Sequence, residues 1–525
     1  MKRGNFIKLF LISIPLCWGG LSCTDLTPKV YDRVATFWKT PEEIQAGIAL
    51  PYAGLRDYTD AFGIYNLNEM TTDEIIVPTR GGDWYDNGTW EQTWKHTWTP
   101  TVGYIEECWQ FIYGDANNSG IATLNSVIEN VKNVDPKNAN VPAILAEMKT
   151  LRAFYYYHAL DLFGNVPILE NNNTALSLLT NKPRAEVFAY VEKELKSNLS
   201  FLPTELSAAT YGRVTQWFTQ AVLAKLYLNA EVYTGTPRWT DCISACDAIL
   251  NSGKYTLEPN FFYNFSISNE GSHENIFVLP YDINANLGYF PMQAFTLHYA
   301  SGYTFGLDGG GVNGFCTPVE ILNLFDSKDI RKKMFLVGQQ YFNSRQYEDP
   351  IPDPANAQYD TDVGLPLYFD PVITTFSSAD PKFRMAGARC AKWEFNKVGN
   401  GLMSNDFAVY RLADIILMKA EAQFRNGDAA GALTTINQSF NGVSIRSRAG
   451  MPDFSSAEMT LDGLLAERAR ELSWEGHRRN DLIRFGHYLD ARIPEKAVSE
   501  KFRTLFPIPK AELDKNHFLK QNPGY

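Results

Sequence analysis

Residues 143–163 read AILAEMKTLRAFYYYHALDLF, with apolar side chains recurring every three to four positions. That period is helical, and the run is longer than a strand needs, so the stretch predicts a helix with a buried face. The RAFYYYH block lies mid-helix, which places its aromatics in a core rather than against a ligand. Other segments repeat the pattern. Val214 to Tyr233 is apolar or small on every face and predicts a buried helix, and Trp239 to Leu250 follows after a Gly-Thr-Pro break. Arg411 to Arg425 is ended by Asn426-Gly427, and Asp428 caps a further helix running to about Phe440. Leu461 to Phe485 reads as one long amphipathic helix, and earlier helices cover Pro41 to Tyr58, Tyr104 to Val131 and Arg184 to Leu202.

Several of these helices come in pairs separated by a short break. Small residues (Ala224, Ala230, Ala245; Ala420, Ala422, Ala432) stand where two helices would touch. The arrangement resembles tetratricopeptide pairing, in which stacked helix hairpins share a continuous core. The alternative is an ordinary irregular helical domain. Between the pairs, Asp73 to Trp98 and Asn264 to Gly401 are rich in Gly, Pro, Asn, Asp and aromatics and carry little helical period. They read as long loops with a few short strands, such as Asn275 to Pro280, and mounted loops are where function concentrates. The fold class is therefore mainly α: a helical domain with tetratricopeptide-like pairs, long irregular loops and a few short strands. No linker or low-complexity tract marks a boundary, so residues 23–525 read as a single domain with a loop-rich segment inserted at about 264–401.

The first residues read differently. Lys2, Arg3 and Lys8 are followed by the apolar run Leu9 to Trp18 and then by Gly20-Leu21-Ser22-Cys23. A charged start, a short apolar core and a small-residue cut site describe a secretory signal over residues 1–22. The run is shorter than the roughly 20 residues of a membrane span. The cysteine makes the arrangement similar to a bacterial lipobox, with Gly20 where Leu is usual. That resemblance implies cleavage before Cys23 and acylation of it, and two or more acyl chains anchor a protein stably. Removing three positive charges from a net charge of −11 leaves −14, which argues against nucleic acid or anionic lipid as the main partner. Beyond Cys17 and Cys23 the odd set Cys108, Cys242, Cys246, Cys316 and Cys390 is no disulfide framework, and most read as buried apolar residues.

Four stretches in order carry a wider resemblance: KTLRAFYYYHALDLFGNVPIL (149–169), AVYRLADIILMKAEAQFRNGD (408–428), ERARELSWEGHRRNDLIRFG (467–486) and the terminal LFPIP…QNPGY (505–525). With the lipobox-like start, the chain resembles the SusD/RagB-type outer-membrane lipoproteins over nearly its whole mature length. The resemblance implies a lipid-anchored protein on the outer face of the outer membrane. Such a protein captures oligo- or polysaccharide and sits as a lid on a SusC-like TonB-dependent transporter barrel. Each stretch also has a structural reading. Glu467, Glu471 and Glu475 stand four apart, with Arg468, Arg470, Arg478 and Arg479 within reach, as in an ion-pair lattice packed against neighbours. QNPGY reads as a tail docked on the body.

A sugar site needs aromatic faces for the C–H face of the ring and planar polar groups for its hydroxyls. EMTTDEIIVPTRGGDWYDNGTWEQTWKHTW (69–98) interleaves both on a Gly-interrupted loop. Trp84 and Trp90 are the candidate platforms, Trp94 and Trp98 read as packing, and Asp73 and Arg80 are the polar candidates. Two more segments complete a pocket if the fold gathers them, as the resemblance implies. GGGVNGFCTP (309–318) offers Asn313 for hydroxyls and Cys316 as a small floor, and AGARCAKW (386–393) offers Arg389 as a bidentate donor. Tyr410, at the start of the helix that follows, is the last candidate.

Two other classes stay open. A glycoside hydrolase needs only a carboxylate pair, which 59 acidic residues always supply, so their presence is uninformative. The chain has no H-E-x-x-H, no G-x-S-x-G and no phosphate-binding glycine loop, and it reads as a binder rather than an enzyme. A structural adaptor of the transporter would need no Trp-rich loop. No cofactor is expected. The acidic stretch Asp349 to Asp362 lacks the spacing of a dedicated calcium loop, and a structural Ca²⁺ there is the one metal reading left open.

Overall fold

The computed structural model describes residues 37–60, 63–114, 120–285 and 290–525. The predicted signal and Cys23 lie outside the described residues. The opening pattern becomes the helix Val141–Leu162, and every residue from Thr150 to Leu162 is buried. Phe154 sits among the rings of Tyr58, Phe218, Phe277 and Tyr410, so the aromatic block is core, as its mid-helix position requires.

The helices pack on one another in pairs, some close in sequence and some remote. Arg184–Asn198 lies on Val141–Leu162, and Gln216–Leu228 packs with Trp239–Leu250. Leu412–Arg425 packs on both Trp239–Leu250 and Ala429–Ile436. The six alanines expected at helix contacts are all buried, which lets the backbones approach. Trp38–Tyr525 form one compact unit. Cys108, Cys242, Cys246, Cys316 and Cys390 are free and buried.

Several predicted helices divide. Tyr104 to Val131 is two helices, Gly103–Tyr113 and Ile121–Val131, and Val214 to Tyr233 breaks at Asn229. Arg411 is not helical: it ends the strand Phe407–Arg411, paired antiparallel with Asn275–Leu279. The long helix predicted from Leu461 stops at Leu472 and resumes as Arg478–Phe485. In the break Trp474 and Gly476 have φ of 67° and 84°. Glu74 accepts the Trp474 N–H, and Glu69 accepts the N–H groups of Gly476 and His477. Two buried carboxylates thus satisfy the backbone donors that an unbroken helix would pair internally.

The glutamate ladder is an ion-pair lattice, but most of its cations are remote. Arg331 bonds Glu467 and Glu471 at 2.8 and 2.9 Å, and Arg411 bonds Glu471 and Glu475 at 2.7 and 2.6 Å. Arg448 reaches Glu471 and Lys392 reaches Glu475. Of the arginines near in sequence, only Arg470 joins the ladder; Arg468, Arg478 and Arg479 pair with Asp414, Asp73 and Asp161. Burial alone would raise the Glu471 pKa, but Arg448, Arg411 and Arg331 outweigh it and hold the carboxyl well below its usual range.

The loop-rich segment is tied by two-residue strand pairs: Phe335–Leu336 with Arg389–Cys390, Gly338–Gln339 with Tyr368–Phe369, and Tyr359–Asp360 with Leu365–Pro366. The 73–98 segment is more regular than its composition predicts. It contains the strand Thr79–Arg80, parallel to Ser377–Ser378, and the helix Thr89–Lys95. That helix turns Trp90 and Trp94 one above the other into the core, and Trp98 is buried with them. The tail docks as expected. Asn522 Nδ2 donates to the carbonyls of Phe163 and Phe506, and Trp98 Nε1 donates to the Tyr525 hydroxyl at 2.7 Å.

Candidate functional site

Arg80 and Asp83 exchange backbone hydrogen bonds across a tight turn in which Gly81 takes φ 69°. The chain then enters Trp84 at φ 61°, a left-handed conformation that bulky residues rarely adopt. The indole is fixed from several sides. Its Nε1 donates to the Val312 carbonyl at 2.7 Å, and its ring meets Phe295 and Phe315 edge-on at 6.3 and 5.9 Å. Beneath it lies Gly314, where a Cβ would fall 2.4 Å from the indole, so only glycine leaves room for the ring. Trp84 remains partly exposed, and Tyr85 beside it is 57% exposed.

A second aromatic stands across from this turn. The partly exposed Tyr299 donates its hydroxyl to the Asp83 carboxylate, and the Arg384 guanidinium lies 5.1 Å from its ring. Burial and Asp83 raise the Tyr299 pKa, so the phenol keeps its proton. Arg384 is in turn held by Asp360 at 2.7 Å and by Asp362 at 2.9 Å. Burial would raise the Asp360 pKa, but His298 and Arg384 outweigh it and keep the carboxylate ionised. The result is a surface of two fixed aromatics, an exposed carboxylate and a guanidinium.

The residues predicted from three separate segments do converge, one layer below this surface. Arg80, Asn313, Cys316 and Arg389 are all buried. Arg80 Nη1 donates to the carbonyls of Phe383 and Arg384 at 3.0 and 3.1 Å, and its Nη2 lies 3.1 Å from Cys316 Sγ. Asn313 Nδ2 donates to the Arg384 carbonyl at 2.9 Å. Arg389 Nη1 donates to the carbonyls of Ala386 and Gly387, and its Nη2 to Asn313 Oδ1 at 2.7 Å. Burial, then the like charge of Arg80, pushes the Arg389 pKa down to about 9. The polar atoms of these groups are turned inward, onto backbone carbonyls and one another. They hold the turn Pro381–Met385 by its carbonyls, and that turn displays Arg384.

Three other candidates are also corrected. Both Asp73 oxygens accept from Arg478, at 2.7 and 2.8 Å, which commits the carboxylate to an ion pair. Trp90 is buried by its helix and donates its Nε1 to Asp86. Tyr410 lies in the core strand, its ring among Phe154 and Phe218. Of the eight predicted contact residues only Trp84 and Asp73 are partly exposed, and Asp73 is engaged by Arg478. The predicted set does not include Tyr299 and Arg384, which lie together on this face. A Tyr amid the small residues of LHYASGYTF (297–305) is a faint signal for the first, and the second has none in local sequence. Among the described residues, no group of three or more His, Cys, Asp or Glu is placed to hold a metal ion.

Residues 273–525 match the SusD family, and residues 57–228 match a family described as "Starch-binding associating with outer membrane". The chain is a SusD-like family member. This SusD-like chain is 24% identical over 497 residues to starch-binding protein SusD of Bacteroides thetaiotaomicron, spanning 88% of the chain and 85% of that protein. To a SusD-like protein of Bacteroides ovatus it is 25% identical over 499 residues, spanning 90% and 80%. Its fold is shared with a SusD homologue from B. thetaiotaomicron, at a TM-score of 0.72 and 20% identity over 93% of this chain and 98% of that one. It is shared too with surface glycan-binding protein A of B. thetaiotaomicron, solved in complex with laminarihexaose, at a TM-score of 0.69 and 21% identity over 92% and 100%.

Proposed function

We infer that this protein captures oligo- or polysaccharide at the cell surface, on the face formed by Trp84, Tyr299, Asp83 and Arg384, and passes it to a SusC-like TonB-dependent transporter. The observation that carries the reading is the fixed, partly exposed indole of Trp84, next in the chain to Asp83, which bonds the Tyr299 hydroxyl under Arg384. An aromatic face takes up the C–H face of a sugar, and Asp83 and Arg384 are placed to bond its hydroxyls. A surface organised in advance binds without ordering its own side chains. The names of the relatives add support, since a related fold holds laminarihexaose and a relative binds starch.

The anchor in this reading is acylated Cys23 in the outer membrane, supported by the lipobox-like Gly20-Leu21-Ser22-Cys23 and by the outer-membrane description of one matching family. The protein acts as a binder rather than a hydrolase, without a cofactor. Asp360 is ion-paired with Arg384 and lies beside the buried His298, which keeps it ionised and no proton donor. Electrophoresis of the purified protein through gels containing laminarin, starch and other surface polysaccharides tests the reading, with reducing ends assayed in parallel. Retardation by a glycan without release of reducing ends supports it. No retardation by any glycan, or release of reducing ends, rejects it. Co-purification with a β-barrel tests the transporter.

A further inference from the structure

Lys382, Phe383 and Met385 of the Pro381–Met385 turn border a concavity of about 630 Å³ whose lining does not include Tyr299. This falls in the range of roughly 300–1,000 Å³ typical of sites that enclose small ligands. Its wall carries Tyr368, 53% exposed and held in the Gly338–Gln339/Tyr368–Phe369 strand pair, with the partly buried Phe383. The lining also carries the polar residues Asp370, Thr374, Asp380 and Lys382 among apolar ones such as Val372 and Met385. The Thr374 hydroxyl and the Lys382 ammonium make no hydrogen bond or ion pair with other described residues, whereas the comparable polar groups of the Trp84 face are tied to one another. An exposed aromatic ring with hydroxyl, ammonium and carboxylate groups around it repeats the composition of the first face in a separate place.

The two surfaces share one structural element. Phe383 lines the concavity and the next residue, Arg384, stands over Tyr299. The carbonyls of both accept from the buried Arg80, so the two surfaces are fixed to the same support. The strand pairing Thr79–Arg80 with Ser377–Ser378 joins the loop that carries Trp84 to the rim of the concavity. We propose that the Tyr368–Phe383 concavity is a second sugar subsite, which takes residues of the same glycan chain that extend beyond Trp84. The proposal rests on the glycan-binding reading above. It makes this protein selective for chain length: a short oligosaccharide engages Trp84 alone, and a longer one gains the second contact.

Calorimetry on the full mature protein tests this with β-1,3-gluco-oligosaccharides and malto-oligosaccharides of two to seven residues, and with laminarin and starch. The variants are Tyr368→Ala, Lys382→Ala and Trp84→Ala, each first checked for an unchanged circular dichroism spectrum. Tyr368→Ala and Lys382→Ala are expected to weaken binding of the longest ligands about tenfold, the scale of one lost ring contact, and to leave the shortest binder unchanged. Wild-type affinity of both variants for long ligands overturns the second subsite while leaving the Trp84 face standing. Full loss in Tyr368→Ala with none in Trp84→Ala makes the concavity the primary site and rejects the first reading. Failure of the unaltered protein to bind either series overturns both.

Discussion

Arg389 donates to the Asn313 carboxamide at 2.7 Å, and Asn313 donates onward to the Arg384 carbonyl at 2.9 Å. Arg80 donates to that same carbonyl, so three buried side chains hold the one turn that displays Arg384. Residues with the chemistry of sugar recognition are used here to position those that meet the solvent.

Substitution of Arg389 by Ala is accordingly expected to act through stability. It removes a buried guanidinium and strands Asn313 Oδ1 and two carbonyls, at a cost of about 2–4 kcal/mol. Urea unfolding should show a lower midpoint, and glycan affinity should fall as the turn loosens. Unchanged stability with lost binding would mean that Arg389 touches the ligand.

Gly314 offers a subtler lever. A methyl group there would stand 2.4 Å from the Trp84 ring. Gly314→Ala should displace the indole and cost about 1–3 kcal/mol, as overpacking generally does. Intrinsic tryptophan fluorescence and glycan affinity should change together, and a variant that alters neither contradicts the packing described.

The lattice around Glu471 predicts the largest effect. This carboxylate meets Arg331, Arg411 and Arg448, all buried. Glu471→Ala leaves three cations short of a counter-charge, at about 3–5 kcal/mol or more. Soluble yield and thermal unfolding should both drop sharply, whereas Glu320→Ala, at an exposed position, should leave both near wild type.

Glu69 and Glu74 give a pH signature. Burial and mutual repulsion hold Glu69 well above its usual pKa, and burial, against the pull of Arg478, raises Glu74 to about 7. A folded pKa above the unfolded one means that the contribution to stability is complete below about pH 4.5 and is lost as pH rises through about 7. Over that interval the loss is up to about 3 kcal/mol. His158 and His477, lowered by burial to about 3 and about 4, titrate in the opposite sense, so the diagnostic quantity is a difference. Glu74→Gln should gain stability relative to wild type as pH rises from 5 to 8, and a constant difference would refute the shift.

The helical frame was legible because helix period and small-residue contacts are local properties. The breaks were less so. Nothing near Ser473 announces that Glu69 and Glu74, some 400 positions away, take the N–H groups of Trp474, Gly476 and His477. The same limit governs the site. Arg80, Asn313, Cys316 and Arg389 come together in one place, but burial depends on what covers them. The cover is the 381–385 turn, whose composition carries no mark of that role. Trp84 was legible because two glycines before it and an Asn-Gly after it deny its ring a regular buried face.

The most direct measurement is the glycan affinity of Trp84→Ala beside that of the unaltered protein, by calorimetry against the polysaccharide that retards the latter most. The expected result is loss of detectable binding with the helical circular dichroism spectrum retained. Wild-type affinity in a folded Trp84→Ala protein would contradict the assignment of this face as the place where sugar is held.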